Sequence, residues 1–172
     1  MAGGLEVRNL NAMQSALSSP LEDTVSRIRQ LHAHILSHRT ATEALESWCA
    51  ARRIGHGPIR ADVLHQESAG RQDGAVWVRR ARMMRGRVDL SHTEIRFRTD
   101  LLSDDMLHRL SHGGEPFGAV VAALRPWRTI TRARAAYGET ILSLHATVLA
   151  GSGQPIARVR ESYQRVLIDG GM

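Results

Sequence analysis

A chain of 172 residues that is 42% hydrophobic can bury one core of ordinary size and is short for two. Its 23 basic residues, overwhelmingly arginine, outnumber 17 acidic ones for a net charge of +6; spread along the chain they serve solubility, and they also suit an anionic ligand, whose carboxylates arginine grips through two parallel hydrogen bonds. Three Trp, two Tyr and two Phe, with no RNP-like strand and no zinc finger, exclude the sequence-specific nucleic-acid classes. A single cysteine excludes a disulfide framework.

The pI near 11 leaves non-specific attraction to nucleic acid open. No basic segment followed by an apolar run opens the chain, and nowhere do eighteen apolar residues follow one another, so the expectation is a cytoplasmic protein without a membrane span. One domain over residues 1–172 is expected, its first 18 residues flexible.

In chain order, Ser19-Pro20 opens a segment in which Leu21, Val25, Ile28, Leu31 and Ile35 recur at helical spacing, giving a helix to about Ser37. Thr40-Ala41-Thr42-Glu43 is a capping box, in which the Thr40 hydroxyl accepts from the Glu43 backbone N–H while the Glu43 carboxylate reaches back. Ala41, Leu45, Trp48 and Cys49 then mark the buried face of a second helix ending near Arg53, with Cys49 as a buried thiol.

After the break at Gly55 to Pro58, β-branched content and alternation predict six strands: Ile59 to Glu67, Ala75 to Met84, Val88 to Arg98, Thr129 to Ala136, Ile141 to Leu149 and Ile156 to Ile168. Ser103 caps a short helix through Leu110, and Pro116 suits the first position of another through Leu124. Arg85-Gly86-Arg87 and Gly151-Ser152-Gly153 read as hairpin turns. Short turns between consecutive strands predict an α+β fold: one antiparallel sheet of about six strands, with the N-terminal helices and short flap helices on one face.

Two charges stand on the wrong faces of their strands. Ala157, Val159, Glu161 and Tyr163 share one face of the last strand, so an inward apolar set carries Glu161 inward with it. Trp77, Arg79, Ala81 and Met83 share a face of the second strand and carry Arg79 inward in the same way. A buried carboxylate without a partner costs several kcal/mol, as an order of magnitude. Alternation leaves two outcomes open at this point: a structural ion pair, or two walls of an anion-binding cavity. His92 and His145 lie on strands with no metal-binding spacing, and no GxSxG, GxxxxGK[ST] or GxGxxG motif occurs. Neither a metal nor an organic cofactor is expected.

From about Leu36 to Ile168 the sequence resembles the chorismate pyruvate-lyase family. The likeness rests on the capped helix Thr40 to Trp48 leading into Ile59-Arg60-Ala61-Asp62-Val63-Leu64, then Trp77-Val78-Arg79, Glu115-Pro116-Phe117-Gly118, Thr129-Ile130-Thr131-Arg132, and Gly153-Gln154-Pro155 followed by Glu161. The resemblance implies a cofactor-independent lyase that cuts chorismate into 4-hydroxybenzoate and pyruvate. It puts catalytic roles on Arg79 and Glu161 and a ligand-carboxylate contact on the backbone around Phe117 and Gly118. It makes Val63 or Leu64 an apolar wall and Arg132 a further substrate contact. Arg80 follows Arg79, so either arginine can face the pocket. The alternative is a non-catalytic effector-binding domain, since the same fold serves GntR-type transcription regulators. A monomer or weak dimer is expected, with small aromatic acids as its partners.

Overall fold

The computed structural model describes residues 20–68 and 76–170, and the expectation of a flexible segment over residues 1–18 lies outside them. Two helices come first, α1 (Pro20–Leu36) and α2 (Ala41–Arg52). They are followed by the hairpin-linked strands β1 (Ile59–Ser68), β2 (Val76–Arg85) and β3 (Val88–Arg98). A crossover then carries a 3-10 turn (Thr99–Leu101), α3 (Asp104–His112), α4 (Phe117–Val120) and a second 3-10 turn (Ala122–Leu124). Strands β4 (Trp127–Ala135), β5 (Thr140–Leu149) and β6 (Pro155–Gln164) and the single turn α5 (Val166–Asp169) complete the chain.

All strand pairs are antiparallel in the order β1-β2-β3-β6-β5-β4, so the two halves of the chain join where β6 lies beside β3. The helices cover one face, and this is the expected α+β architecture. Among the described residues no helix is long and apolar enough to cross a membrane. The hairpin turns fall where expected, with Gly86 and Gly153 at φ of +59° and +87°, a region in which a side chain is strained.

Three of the differences from the expected boundaries bear on the interior. The last strand stops at Gln164, and Leu167 and Ile168, both buried, lie on the helical turn that follows it. There the C-terminus is tied to the helices, because Trp48 Nε1 donates to the Leu167 carbonyl at 2.8 Å and Arg27 to that of Ile168 at 3.0 Å. Pro116 caps α4 instead of opening it, and the helix yields to a 3-10 turn after Val120. Strand β4 begins at Trp127, two residues before the predicted start, and that difference determines which arginine enters the interior.

The inner side of the sheet carries two hydrophobic clusters. One joins α1, α2 and α5 to the ends of the strands around Ile59, Met83, Leu144 and Tyr163. The other joins α3 and α4 to Ile95, Phe97, Val148 and Val159. Thr40 forms both halves of the capping box, accepting from Glu43 N at 3.2 Å while its own N–H donates to Glu43 Oε2 at 3.3 Å. Replacing Thr40 by Ala is expected to cost about 1 kcal/mol, read as a fall of roughly 2–4 °C in Tm by differential scanning calorimetry.

Candidate ligand-binding site

Between the two clusters lies a pocket floored by the inner face of the sheet. Met83, Ile95, Val148 and Val159 give it an apolar lining, Thr40 to Thr42 at the N-terminus of α2 form one side, and Phe117, Gly118 and Pro126 of the flap form the roof. The roof sits close: a Cβ on Gly118 would come within 3.3 Å of Thr40 Cβ and 3.4 Å of Thr42 Oγ1, so glycine here lets the flap rest on the α2 cap. Phe117 is held from behind by Phe97, with ring centroids 5.4 Å apart. The space among these residues is about 490 Å³ counted out to its mouth, but the part deep enough to hold water is about 50 Å³. That is room for a few water molecules.

Two charges face this apolar space, Glu161 from β6 and Arg128 from β4. Their side chains are 4% and 6% exposed, and Arg128 Nη1 lies 3.0 Å from Glu161 Oε2. Tyr163, two residues along the same face, donates its hydroxyl to Glu161 Oε2 at 2.7 Å. Arg128 Nη2 donates to the Ile35 carbonyl at the C-terminal end of α1 at 3.0 Å, where a cation is favoured. Arg128 Nε is buried and has no partner among the described residues. A carboxylate offers about four lone-pair sites, and Glu161 uses Oε2 twice and Oε1 for one long contact of 3.3 Å. The pocket is therefore lined by an arginine whose Nε–H has no partner and by a carboxylate with acceptor capacity to spare.

Arg79 is placed differently. It is buried on the inner face, as alternation required, but it does not line the pocket and does not pair with Glu161. Its guanidinium donates to three backbone carbonyls, those of Leu110 at 2.7 Å, Glu115 at 3.0 Å and Gly113 at 3.3 Å. Burial pulls its pKa below the ordinary value, and the charge of Glu115 offsets part of that. Arg79 thus caps α3 and fixes the segment that leads into the flap. Arg109 clamps the same segment from the other side through the Glu115 carboxylate at 2.9 Å. Arg80 faces outward and pairs with Glu94 at 2.8 Å, so the inward arginine of the two is Arg79.

The remaining expected contacts sort by position. Phe117 and Gly118 line the pocket. Val63 and Leu64, 37% and 60% exposed, do not: β1 is the edge strand farthest from β6 along β2 and β3, and Leu64, which alternation puts on the outward face of Asp62, lies in the outer groove beside Arg80. The apolar wall expected of them is supplied by Met83, Ile95, Val148 and Val159. Arg132 is exposed on the outer face opposite His145, shifted there by a bulge after Ile130, and the arginine that enters is Arg128. A strand begun at Trp127 would have put Arg128 on the face of Ile130; the signal was present, two residues before the predicted start. Among the described residues no group of three metal-ligating side chains occurs.

No protein-family description and no curated protein matches the sequence. Solved structures match its fold. The effector domain of PhnF from Mycobacterium smegmatis superposes with a TM-score of 0.50 at 13% identity, over 74% of this chain and 89% of that one. A second PhnF structure gives 0.51 at 12% identity, over 78% of this chain and 66% of the other. The ligand-binding domain of a protein described as a GntR-family transcriptional regulator from Bordetella bronchiseptica gives 0.44 at 14%, over 62% and 85%. At these identities the likeness to the two PhnF structures shows the fold alone.

Replacing Arg79 by Leu removes the donor to one buried and two half-buried carbonyls, at roughly 2–3 kcal/mol, and is expected to lower Tm by about 5–10 °C. Tyr163 gives a pH signature. Burial, and then the Glu161 charge, push its phenol well above the ordinary value, with Arg128 opposing. The folded state holds the proton more tightly than the unfolded chain, so this contribution is complete below about pH 10, the unfolded pKa, and is lost as pH rises beyond it. Thermal scans between pH 8 and 11 should show a steeper alkaline loss in the native chain than in Tyr163→Phe.

Proposed function

We propose that the pocket reversibly binds a small hydroxylated organic acid, aromatic or cyclic, and that the chain acts as a ligand-binding module. The observation that carries this reading is the Arg128 side chain, buried in an apolar pocket with Nε unpartnered, next to Glu161. Leaving a buried guanidinium N–H unpaired is unfavourable, and a ligand carboxylate satisfies it in a water-poor setting. Glu161 Oε1 then accepts from a ligand hydroxyl, while Met83, Ile95, Phe117 and Val159 sandwich the ring. Such an acid is larger than the closed space, so binding lifts the flap from Phe117 to Pro126 off the Thr40–Thr42 cap. The effector and ligand-binding domains of like fold support a binding module.

A second reading, cleavage of chorismate, is favoured by Glu161 itself, an acceptor buried beside an arginine. In that reaction the C3–O bond breaks, the ring loses its C4 proton and becomes aromatic, and the departing enolpyruvate takes up a proton to give pyruvate. Orientation supplies most of what the step requires. Arg128 then takes the carboxylate, with Arg79 holding the flap in place.

Titration of the protein with 4-hydroxybenzoate by calorimetry separates these roles. Arg128→Gln should weaken binding about tenfold to a hundredfold, the value of one charge-assisted contact, whereas Arg79→Lys, measured where it is folded, should change it less than threefold. Equal affinity in Arg128→Gln and the native chain rejects the pocket. Release of pyruvate from chorismate in equal amount with 4-hydroxybenzoate selects the lyase; binding without turnover selects the module.

A further inference from the structure

The outer face of the sheet is uncovered, and its charges are distributed unevenly. All 23 basic residues of the chain are arginine. On the β1–β3 side most outward arginines are matched: Arg80 and Arg96 pair with Glu94, Arg82 with Asp62 and Arg98 with Asp100, while Arg60 on β1 makes no ion pair among the described residues. On β4, β5 and β6 the outward side chains include Arg132, Arg134, Arg158 and Arg160, all exposed, and no carboxylate, since the one acidic residue internal to these strands, Glu161, points inward. Among the described residues these four arginines make no ion pair or hydrogen bond; across the ladder Arg160 faces Glu94, which is already held by Arg80.

The register aligns them. Arg132, His145 and Arg160 form one row across three strands, and Arg158 stands directly opposite Arg96 in the next. Like charges directly opposite each other destabilise a sheet, so stability does not account for the Arg158–Arg96 pair. Together Arg96, Arg158, Arg160 and His145, with Thr131 and Thr147, line a shallow open groove, whose one carboxylate, Glu94, is held by Arg80 and lies 3.8 Å from Arg96. Along β6 the arginines repeat every second residue, roughly 6.8 Å, a spacing comparable with that of successive phosphates along a strand. Two large aromatic side chains flank the patch: Trp127 at the start of β4, 43% exposed and alternating with inward Arg128, and Tyr137 just beyond its end, 58% exposed.

We propose that this outer face, over β4, β5 and β6 with Arg96 of β3, binds single-stranded nucleic acid without sequence preference. The arginines and threonines hold the phosphate backbone, and Trp127 and Tyr137 serve as stacking platforms for bases. A cationic groove with flanking aromatics is the composition such surfaces use. A second copy of this chain is repelled by the same charges; an anionic lipid surface attracts arginines as well, but phosphates along a strand and stacked bases use both the arginine rows and the two rings.

Fluorescence anisotropy with a labelled oligothymidylate of about 20 nucleotides, enough to span one such face, tests the proposal. Binding should weaken steeply with salt, with a log–log slope near −3 if about four phosphates are neutralised, at about −0.7 each. Arg158→Gln with Arg160→Gln should weaken binding about tenfold or more at low salt and flatten the slope by about 1.4. Arg132→Gln with Arg134→Gln, a second variant on the neighbouring strand, should act in the same direction. Trp127→Ala should weaken binding about fivefold or more with the slope unchanged. Arg29→Gln with Arg39→Gln removes the same charge from the helical side and should change affinity less than twofold, and 4-hydroxybenzoate affinity should stay constant throughout. The proposal is overturned if the oligonucleotide does not bind at low salt, if the helical-side variant loses as much as the sheet variants, or if phosphatidylserine vesicles bind where the oligonucleotide does not.

Discussion

A carboxylate at the centre of an apolar layer, Glu161, is the constraint on which the rest of the interior depends. Ionised and buried, it requires a cation and hydrogen-bond donors within a few ångströms. Arg128 from the far strand and Tyr163 from its own strand meet that requirement. Arg128 reaches further, to the last turn of α1, so one guanidinium ties β4, β6 and the first helix together. The two hydrophobic clusters cannot close over this group as a single oily layer without stripping it of its partners. They remain separate, and the pocket is the space between them.

Arg79 does for the roof what Arg128 does for the floor. Three carbonyls at the end of α3 converge on it, and a helix C-terminus that would otherwise be short of donors becomes a fixed hinge. The chain then has a set starting point at Glu115, Pro116 turns it, and Phe117 and Gly118 arrive over the α2 cap. The closeness of Gly118 to Thr40 means that the N-terminal cap of a helix, ordinarily a local matter, is also part of the pocket wall. Removing the Arg79 guanidinium therefore acts on the pocket through the flap, whereas removing that of Arg128 acts on it directly.

Much of the fold was legible because it depends on local patterns. Alternation placed Arg79 and Glu161 inward, the capping box fixed the start of α2, and glycines marked two hairpins. The site was legible only in part, because which residues meet depends on strand order. Arg79 and Glu161 share a face, yet β3 stands between their strands, and each found its partner elsewhere. A bulge did the rest. An extra residue near Thr131 rotates the residues beyond it by one position, so a segment that matches a family motif by its letters presents Arg132 to the opposite side. No periodicity argument from the sequence reveals a bulge that only cross-strand pairing defines.

The sheet uses one residue type in two regimes, and the difference is solvation. Inside, each arginine is matched almost atom for atom: Arg79 by three carbonyls, Arg128 by a carboxylate and a carbonyl, because an unmatched guanidinium in a low-dielectric layer is costly. Among the described residues Arg85 Nη1 and Arg128 Nε are the buried guanidinium nitrogens without a partner, and of the two side chains it is Arg128 that lines the pocket. Outside, water screens each charge to a small fraction of its value in the interior, so Arg132, Arg134, Arg158 and Arg160 tolerate having no ion pair or hydrogen bond among the described residues. Strand β4 carries both regimes at once, with Arg128 inward and Arg132 and Arg134 outward, and the bulge between them is what switches the face. An edge strand with one free margin can absorb such a bulge at little cost to its single neighbour. A central strand paired on both sides would have had to break two ladders to do so, which is a physical reason for the deep arginine of this pocket to come from the edge.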